Sequence, residues 1–122
     1  MAYILDLKTF TDKRGNLTVI EKTIPFEIKR IFYIYGVDNS IRGGHRHKTT
    51  LQAAICMKGS CRIYNYDGKE ENYFILDQPR KCLILQTQDW HTMDQFSPDA
   101  ILMVLASEYF DQNDYIFEPY SK

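Results

Sequence analysis

Three histidines are the residues of this chain best placed to do chemistry. His45 and His47 form an H-x-H pair inside Gly43-Gly44-His45-Arg46-His47-Lys48, and His91 follows in Asp89-Trp90-His91. In an extended strand, residues i and i+2 project to the same face. His45 and His47 therefore enter one space, and Arg46 points away. An imidazole with an ordinary pKa of about 6.5 takes and returns a proton at neutral pH. That suits removal of a proton next to a carbonyl. The same ring nitrogens can also hold iron or zinc, so spacing alone does not separate acid–base chemistry from a metal site.

An enolate formed by such a proton removal needs positive charge or hydrogen-bond donors at its oxygen. The partner histidine, Arg14, His91 and the tyrosines near the barrel wall are the candidates. Arg30 and Arg42 read as anion binders, because a guanidinium fork matches a phosphate bidentately. Gly43 and Gly44 permit positive φ or close approach of a ligand to the backbone.

The elements that must position these groups are strands. Short apolar or alternating segments run at Tyr3–Leu7, Leu17–Lys22, Lys29–Tyr35, Leu51–Met57, Cys61–Tyr66, Asn72–Leu76, Lys81–Leu85 and Ile101–Ser107. The cluster Asp12-Lys13-Arg14-Gly15-Asn16 is a turn. Lys58-Gly59-Ser60 and Tyr66-Asp67-Gly68-Lys69 have the look of hairpin connections. No segment carries a sustained 3.6-residue apolar stripe. Many short strands closed by Gly- and Asp-containing turns imply an all-β sandwich or barrel. Residues Tyr109 to Lys122 are expected to lie across that barrel rather than inside it.

With 122 residues, the chain is expected to be a single domain, 1–122. A formal net charge of −1 offers no broad basic surface to nucleic acid or an anionic membrane. Cys56, Cys61 and Cys82 are odd in number and lack C-x-x-C spacing, so they are expected as reduced, half-buried thiols of a cytoplasmic protein. The N-terminal residues do not read as a signal peptide, and no apolar stretch reaches transmembrane length.

His45-x-His47, then Gln52, then Gly59, trace the outline of a first cupin motif, with His91 in the role of the second motif's histidine. Gln52 stands where metal-binding cupins usually have a glutamate, and a neutral amide is a poorer ligand for a divalent cation. This shifts the balance from metal toward proton transfer.

Longer stretches extend the likeness: Ile41 to Lys48, Ile55 to Arg62, Trp90-His91-Thr92-Met93, Val104 to Ser107 and Asp114-Tyr115-Ile116. Together they resemble the dTDP-4-keto-6-deoxyglucose 3,4-ketoisomerases, small sugar-nucleotide cupins of the WxcM-like group. The resemblance runs from Asp12-x-Arg14-Gly15 to Tyr120. It implies a cupin barrel and a metal-independent isomerase without a cofactor, moving a keto group from C4 to C3 of a dTDP-linked 6-deoxyhexose. It also implies a homodimer, often with N-terminal strands exchanged, and a product that is aminated and acylated for bacterial surface glycans such as O-antigen.

Residue by residue, the resemblance makes His45 the base at C3 and His47 its partner. Arg30, Tyr33, Arg42, Gly44 and Gln52 become substrate-binding positions. Arg14 and His91 fall where galacto- and gluco-forming branches differ, and their pairing matches the galacto branch. Two residues depart from the pattern: Arg46 replaces a common alanine, and Phe117 stands where relatives often have an arginine. The same residues could alternatively serve a sugar 3,5-epimerase, a three-histidine metal-dependent oxygenase, or a sugar-sensing barrel without turnover.

Overall fold

The computed structural model describes residues 1–122 as twelve strands and a single 3-10 turn at Gln112–Asp114. The strands are β1 (Tyr3–Asp6), β2 (Thr9–Asp12), β3 (Gly15–Thr18), β4 (Arg30–Ile34), β5 (Arg42–His47) and β6 (Gln52–Lys58). Then come β7 (Cys61–Tyr66), β8 (Glu71–Leu76), β9 (Lys81–Leu85), β10 (Trp90–Asp94), β11 (Ile101–Ala106) and β12 (Tyr115–Ile116). One five-stranded antiparallel sheet has the order β1-β9-β6-β11-β4, and a second has β12-β5-β10-β7-β8. The β2–β3 hairpin pairs only with itself. The fold is the all-β barrel expected of a cupin.

Alternation decides what each strand sends inside. On β7, Cys61, Ile63 and Asn65 are buried while Arg62, Tyr64 and Tyr66 are partly exposed. On β4, Arg30, Phe32 and Ile34 turn inward, leaving Ile31, Tyr33 and Tyr35 exposed. Cys56, Cys61, Ile63, Leu83, Met93, Leu102 and Val104 fill one half of the barrel with apolar side chains. The outer face of the first sheet has its own cluster, in which Ile24 and Phe26 pack on Ala53, Ile55, Cys82, Ile84 and Leu105. This explains why β6 and β9 read as continuous apolar runs: both of their faces are covered.

Most strand positions match the sequence reading to within a residue or two. Three differences have local causes. β2, β10 and β12 are absent from the sequence-based strands because Thr-Phe-Thr-Asp and Trp-His-Thr-Met-Asp are too polar and Tyr-Ile too short to stand out, and β3 forms at Gly15–Thr18 rather than Leu17–Lys22. Lys58-Gly59-Ser60 is not a hairpin: it carries the chain from β6 in one sheet to β7 in the other. Gly59 there has φ +71°, and a Cβ would fall 2.2 Å from Ser97 Oγ, so only glycine fits the corner. The three thiols are free but fully buried rather than half-buried.

Candidate active site

The second sheet brings the three histidines together, and a glycine-built irregularity sets their height. β5 and β10 pair His45 with His91, but the register then slips, so that Gly43 opposes Thr92. Gly43 and Gly44 both take positive φ, +83° and +82°. A Cβ on Gly43 would sit 3.0 Å from the His91 carbonyl oxygen and 3.3 Å from Thr92 Cα. The double glycine thus lets β5 press against β10 at the level of the imidazoles. The His45 ring centroid lies 5.0 Å from those of both His47 and His91, which are 6.3 Å apart.

Each of two rings has one nitrogen fixed and the other free. His47 Nδ1–H donates to Asp114 Oδ2 at 2.7 Å. A carboxylate only accepts, so the proton of the neutral ring is on Nδ1 and the Nε2 lone pair is open. His91 Nδ1–H donates to the Asp89 carbonyl at 3.0 Å, which sets the same tautomer. Both Nε2 atoms are buried and without a partner. Asp114 also accepts from Thr49 N, Thr49 Oγ1 and Thr50 Oγ1. These bonds hold its carboxyl far below the usual carboxylate range despite its burial.

The imidazoles are neutral at pH 7. Burial, then repulsion from His91 and His47, lowers His45 to about 3. Burial lowers His91 to about 4, against the pull of the Asp89 carbonyl. His47 is lowered by burial and nearby Arg30, with Asp114 opposing. Neutral rings in a dry site can accept a proton only when negative charge appears beside them.

The facing sheet adds further polar groups to this end of the barrel. Arg30 enters from β4 with its guanidinium 5.3 Å from the Phe32 ring and 5.6 Å from the Phe110 ring, and its Nε is buried without a partner. Gln52 opens β6, 3% exposed, with its Oε1 unpartnered. From the C-terminal strand, Tyr115 lies 4.8 Å from His45 and 4.6 Å from His47, centroid to centroid. Phe117 stacks on Tyr115 and stands 6.1 Å from His45. Part of the C-terminal segment, Tyr115–Ile116, joins the second sheet as its edge strand β12 rather than lying across the barrel, and Asp114 just before it turns its carboxyl inside. Arg46 does point away, resting on the Tyr120 ring at 4.6 Å.

Three expected site residues are not brought to the histidines. Tyr33 is a correction: it is 63% exposed on the outer face of β4 and stacks on Tyr35. It stands three residues from Arg30, and period-two alternation sends the two to opposite faces. Arg42 stays at the exposed start of β5, near Asp38. Arg14 sits in the turn of the β2–β3 hairpin, its side chain 84% exposed and paired with Asp12 at 2.6 Å. It lines an open hollow of about 300 Å³ with Phe10, Asn16 and Leu17, away from the imidazoles.

Asp114, Tyr115 and Asn65 belong to the polar end and escaped the sequence reading as site residues. Asp114 and Tyr115 meet His47 only through the β12–β5 pairing, 65 or more residues distant in sequence. No three His, Cys, Asp or Glu side chains are arranged as a metal-ligand set.

The site and barrel define a small cupin with a histidine-lined polar end. The family model FdtA: WxcM-like, C-terminal, matches residues 2–121, and the chain belongs to that family. It is 42% identical over 116 residues to a TDP-4-oxo-6-deoxy-alpha-D-glucose-3,4-oxoisomerase of Aneurinibacillus thermoaerophilus, covering 93% of this chain and 84% of that protein. Two solved structures from Campylobacter jejuni are similar to it. A TDP-fucose-3,4-ketoisomerase superposes with TM-score 0.88 at 42% identity, covering 96% of this chain and 89% of that one. A TDP-quinovose 3,4-ketoisomerase does so with TM-score 0.91, also at 42% identity, covering 96% and 92%.

Proposed function

We propose that this protein isomerises TDP-4-keto-6-deoxyglucose to the corresponding 3-keto sugar by histidine-mediated proton transfer. The observation that carries this reading is the pair of buried, unpartnered Nε2 atoms of His47 and His91 around neutral His45, with Arg30 beside them. Arg30 binds the diphosphate from within the barrel, and Arg42 meets it at the rim. Gly44 leaves the backbone open to the sugar, and Gln52 bonds it from the facing sheet.

His45 removes the C3 proton, and the electron pair of that bond forms the C3=C4 double bond of an enediolate. Negative charge gathers on O4, where the charged form of His45 stabilises it. His47 Nε2 takes the proton of the C3 hydroxyl and passes it to O4. Collapse of the C3 oxyanion to a carbonyl sends the electron pair to C4, which takes a proton from a histidine. C3 is oxidised by two electrons and C4 reduced by two, so the step needs no external oxidant or reductant. Positioned acid–base catalysis contributes about 10²–10⁴-fold, and charge stabilisation the rest.

The product is the galacto-configured 3-keto sugar, on the pairing of Arg14 with His91. The two Campylobacter relatives carry fucose and quinovose in their names at equal identity, so overall similarity does not choose between these configurations. Arg14 reaches a site by arm exchange in a homodimer, where the partner receives the β2–β3 hairpin. Exposed Phe10 and Leu17 on that hairpin, 54% and 60% accessible, support such a covered arm. The protein works in the cytoplasm, where three free thiols remain reduced, and its product is aminated at C3 for surface-glycan synthesis.

The test is incubation with TDP-4-keto-6-deoxyglucose, a C3 aminotransferase and its cosubstrates, followed by NMR of the amino sugar. A 3-amino-6-deoxygalactose product is expected. An inverted C5 instead would mark an epimerase, and recovery of the unconverted 4-keto sugar would refute turnover. His45→Asn should abolish conversion and leave TDP binding intact.

A further inference from the structure

Asn65 lies at the polar end of the barrel without a job in the mechanism above. It is fully buried, and both its Nδ2 and its Oδ1 lack any hydrogen-bond partner. It shares the inward face of β7 with Cys61 and Ile63. In the β7–β10 ladder it stands directly opposite His91, so the two Cβ atoms are about 5 Å apart on one face. Its neighbour on the other side, Asn72 of β8, turns its amide toward Met1 Sδ instead. Leaving such a group unsatisfied costs about 1–3 kcal/mol, and an apolar side chain of similar branched shape, such as leucine, would avoid that. An amide in this position is therefore expected to serve something that enters the barrel.

The neighbouring atoms define what would fit. His91 Nε2 is an acceptor, because its Nδ1 carries the proton. Asn65 offers a donor in Nδ2 and an acceptor in Oδ1. A hydroxyl, which donates one bond and accepts others, bridges the two residues: it donates to His91 Nε2 and accepts from Asn65 Nδ2. We infer that Asn65 and His91 together bind the C2 hydroxyl of the hexose and make the enzyme selective for sugars that carry it. The assignment to C2 rests on the proposed reaction. O3 and C4 are the reacting centres there, C6 is deoxygenated, and C2 holds the remaining ring hydroxyl, next to the carbon that His45 attacks. A non-reacting hydroxyl held this way fixes the C3–H bond against the base.

The experiment compares wild type and Asn65→Leu on TDP-4-keto-6-deoxyglucose and on its 2-deoxy analogue. Wild type should prefer the 2-hydroxy sugar by about 10- to 100-fold in kcat/KM, the range expected when buried polar groups lose their partner. Asn65→Leu should lose most of that preference by falling on the 2-hydroxy sugar alone, with the ligand-free Tm unchanged or raised. Equal wild-type activity on both sugars would overturn the assignment without any variant. A leucine variant that falls equally on both sugars, or unfolds at lower temperature, would make Asn65 a structural residue and overturn it too. A wild type that converts neither sugar would defeat the ketoisomerase reading itself, a separate result.

Discussion

Replacing Asp114 by asparagine should separate the enzyme's catalytic tautomer from its stability. Asp114 Oδ1 accepts from Thr49 N at 2.7 Å and Thr49 Oγ1 at 2.9 Å, and an asparagine oxygen keeps both. Oδ2 accepts from His47 Nδ1 and Thr50 Oγ1, and the amide NH₂ that replaces it is a donor. His47 must then move its proton to Nε2, so the lone pair aimed into the barrel disappears. Two buried, charge-assisted bonds at about 1.5–3 kcal/mol each are lost and partly replaced, a net cost of about 2–4 kcal/mol. In a domain of this size that lowers Tm by roughly 10 °C. A wrong tautomer costs about 10⁴ in a serine-protease triad. Here neighbouring imidazoles remain, so a fall in kcat of about 10² or more is expected. Thr50→Val is the control, since it removes one bond to the carboxylate but leaves the His47 tautomer unchanged. It should lower Tm by several degrees and spare kcat. Circular dichroism gives Tm, and the aminotransferase-coupled assay gives kcat. A folded Asp114→Asn enzyme with kcat within about three-fold of wild type would refute the tautomer argument.

Two other perturbations follow from the same geometry. The unfolded chain protonates histidine near 6.5, whereas folded His91 waits until about 4 and His45 until about 3. Between those values the unfolded state binds more protons, so stability falls as pH drops from about 6.5 toward 4, by on the order of 3 kcal/mol for His91 alone. Asp114, lowered in the fold, keeps its contribution until pH falls below the ordinary carboxylate range. Melting curves from pH 7 to 4 should show this decline, and a flat Tm over that range would contradict neutral burial. Gly43→Ala should cost about 1–3 kcal/mol through its positive φ and its approach to the His91 carbonyl. It should also displace His45, with kcat down at least about 10-fold, whereas an unaltered kcat would show that the bulge does not position the base.

The barrel and the histidine cluster were legible in the sequence because both rest on short-range rules. Period-two alternation and turn residues announced most strands, and H-x-H in an extended segment can only point one way. Gly43-Gly44 permitted positive φ beside it, but the bulge itself emerged only from the pairing of β5 with β10. What the sequence could not supply was partnership across distance. Asp114 reaches His47 across 67 positions by the pairing of β12 with β5, and Asn65 meets His91 across a ladder. Asp114 stood in the Asp114-Tyr115-Ile116 stretch with no partner to give it a role, and nothing local flagged Asn65. Tyr33 shows the reverse: a motif position suggested a ligand contact, and strand parity turned it to the outside. Residue identity and spacing determined which groups could exchange protons. Only the tertiary structure decided which of their nitrogens remain free, through strand pairing within the second sheet and burial beneath the first, because burial and hydrogen-bond partners, rather than residue type, fix a histidine's tautomer and charge.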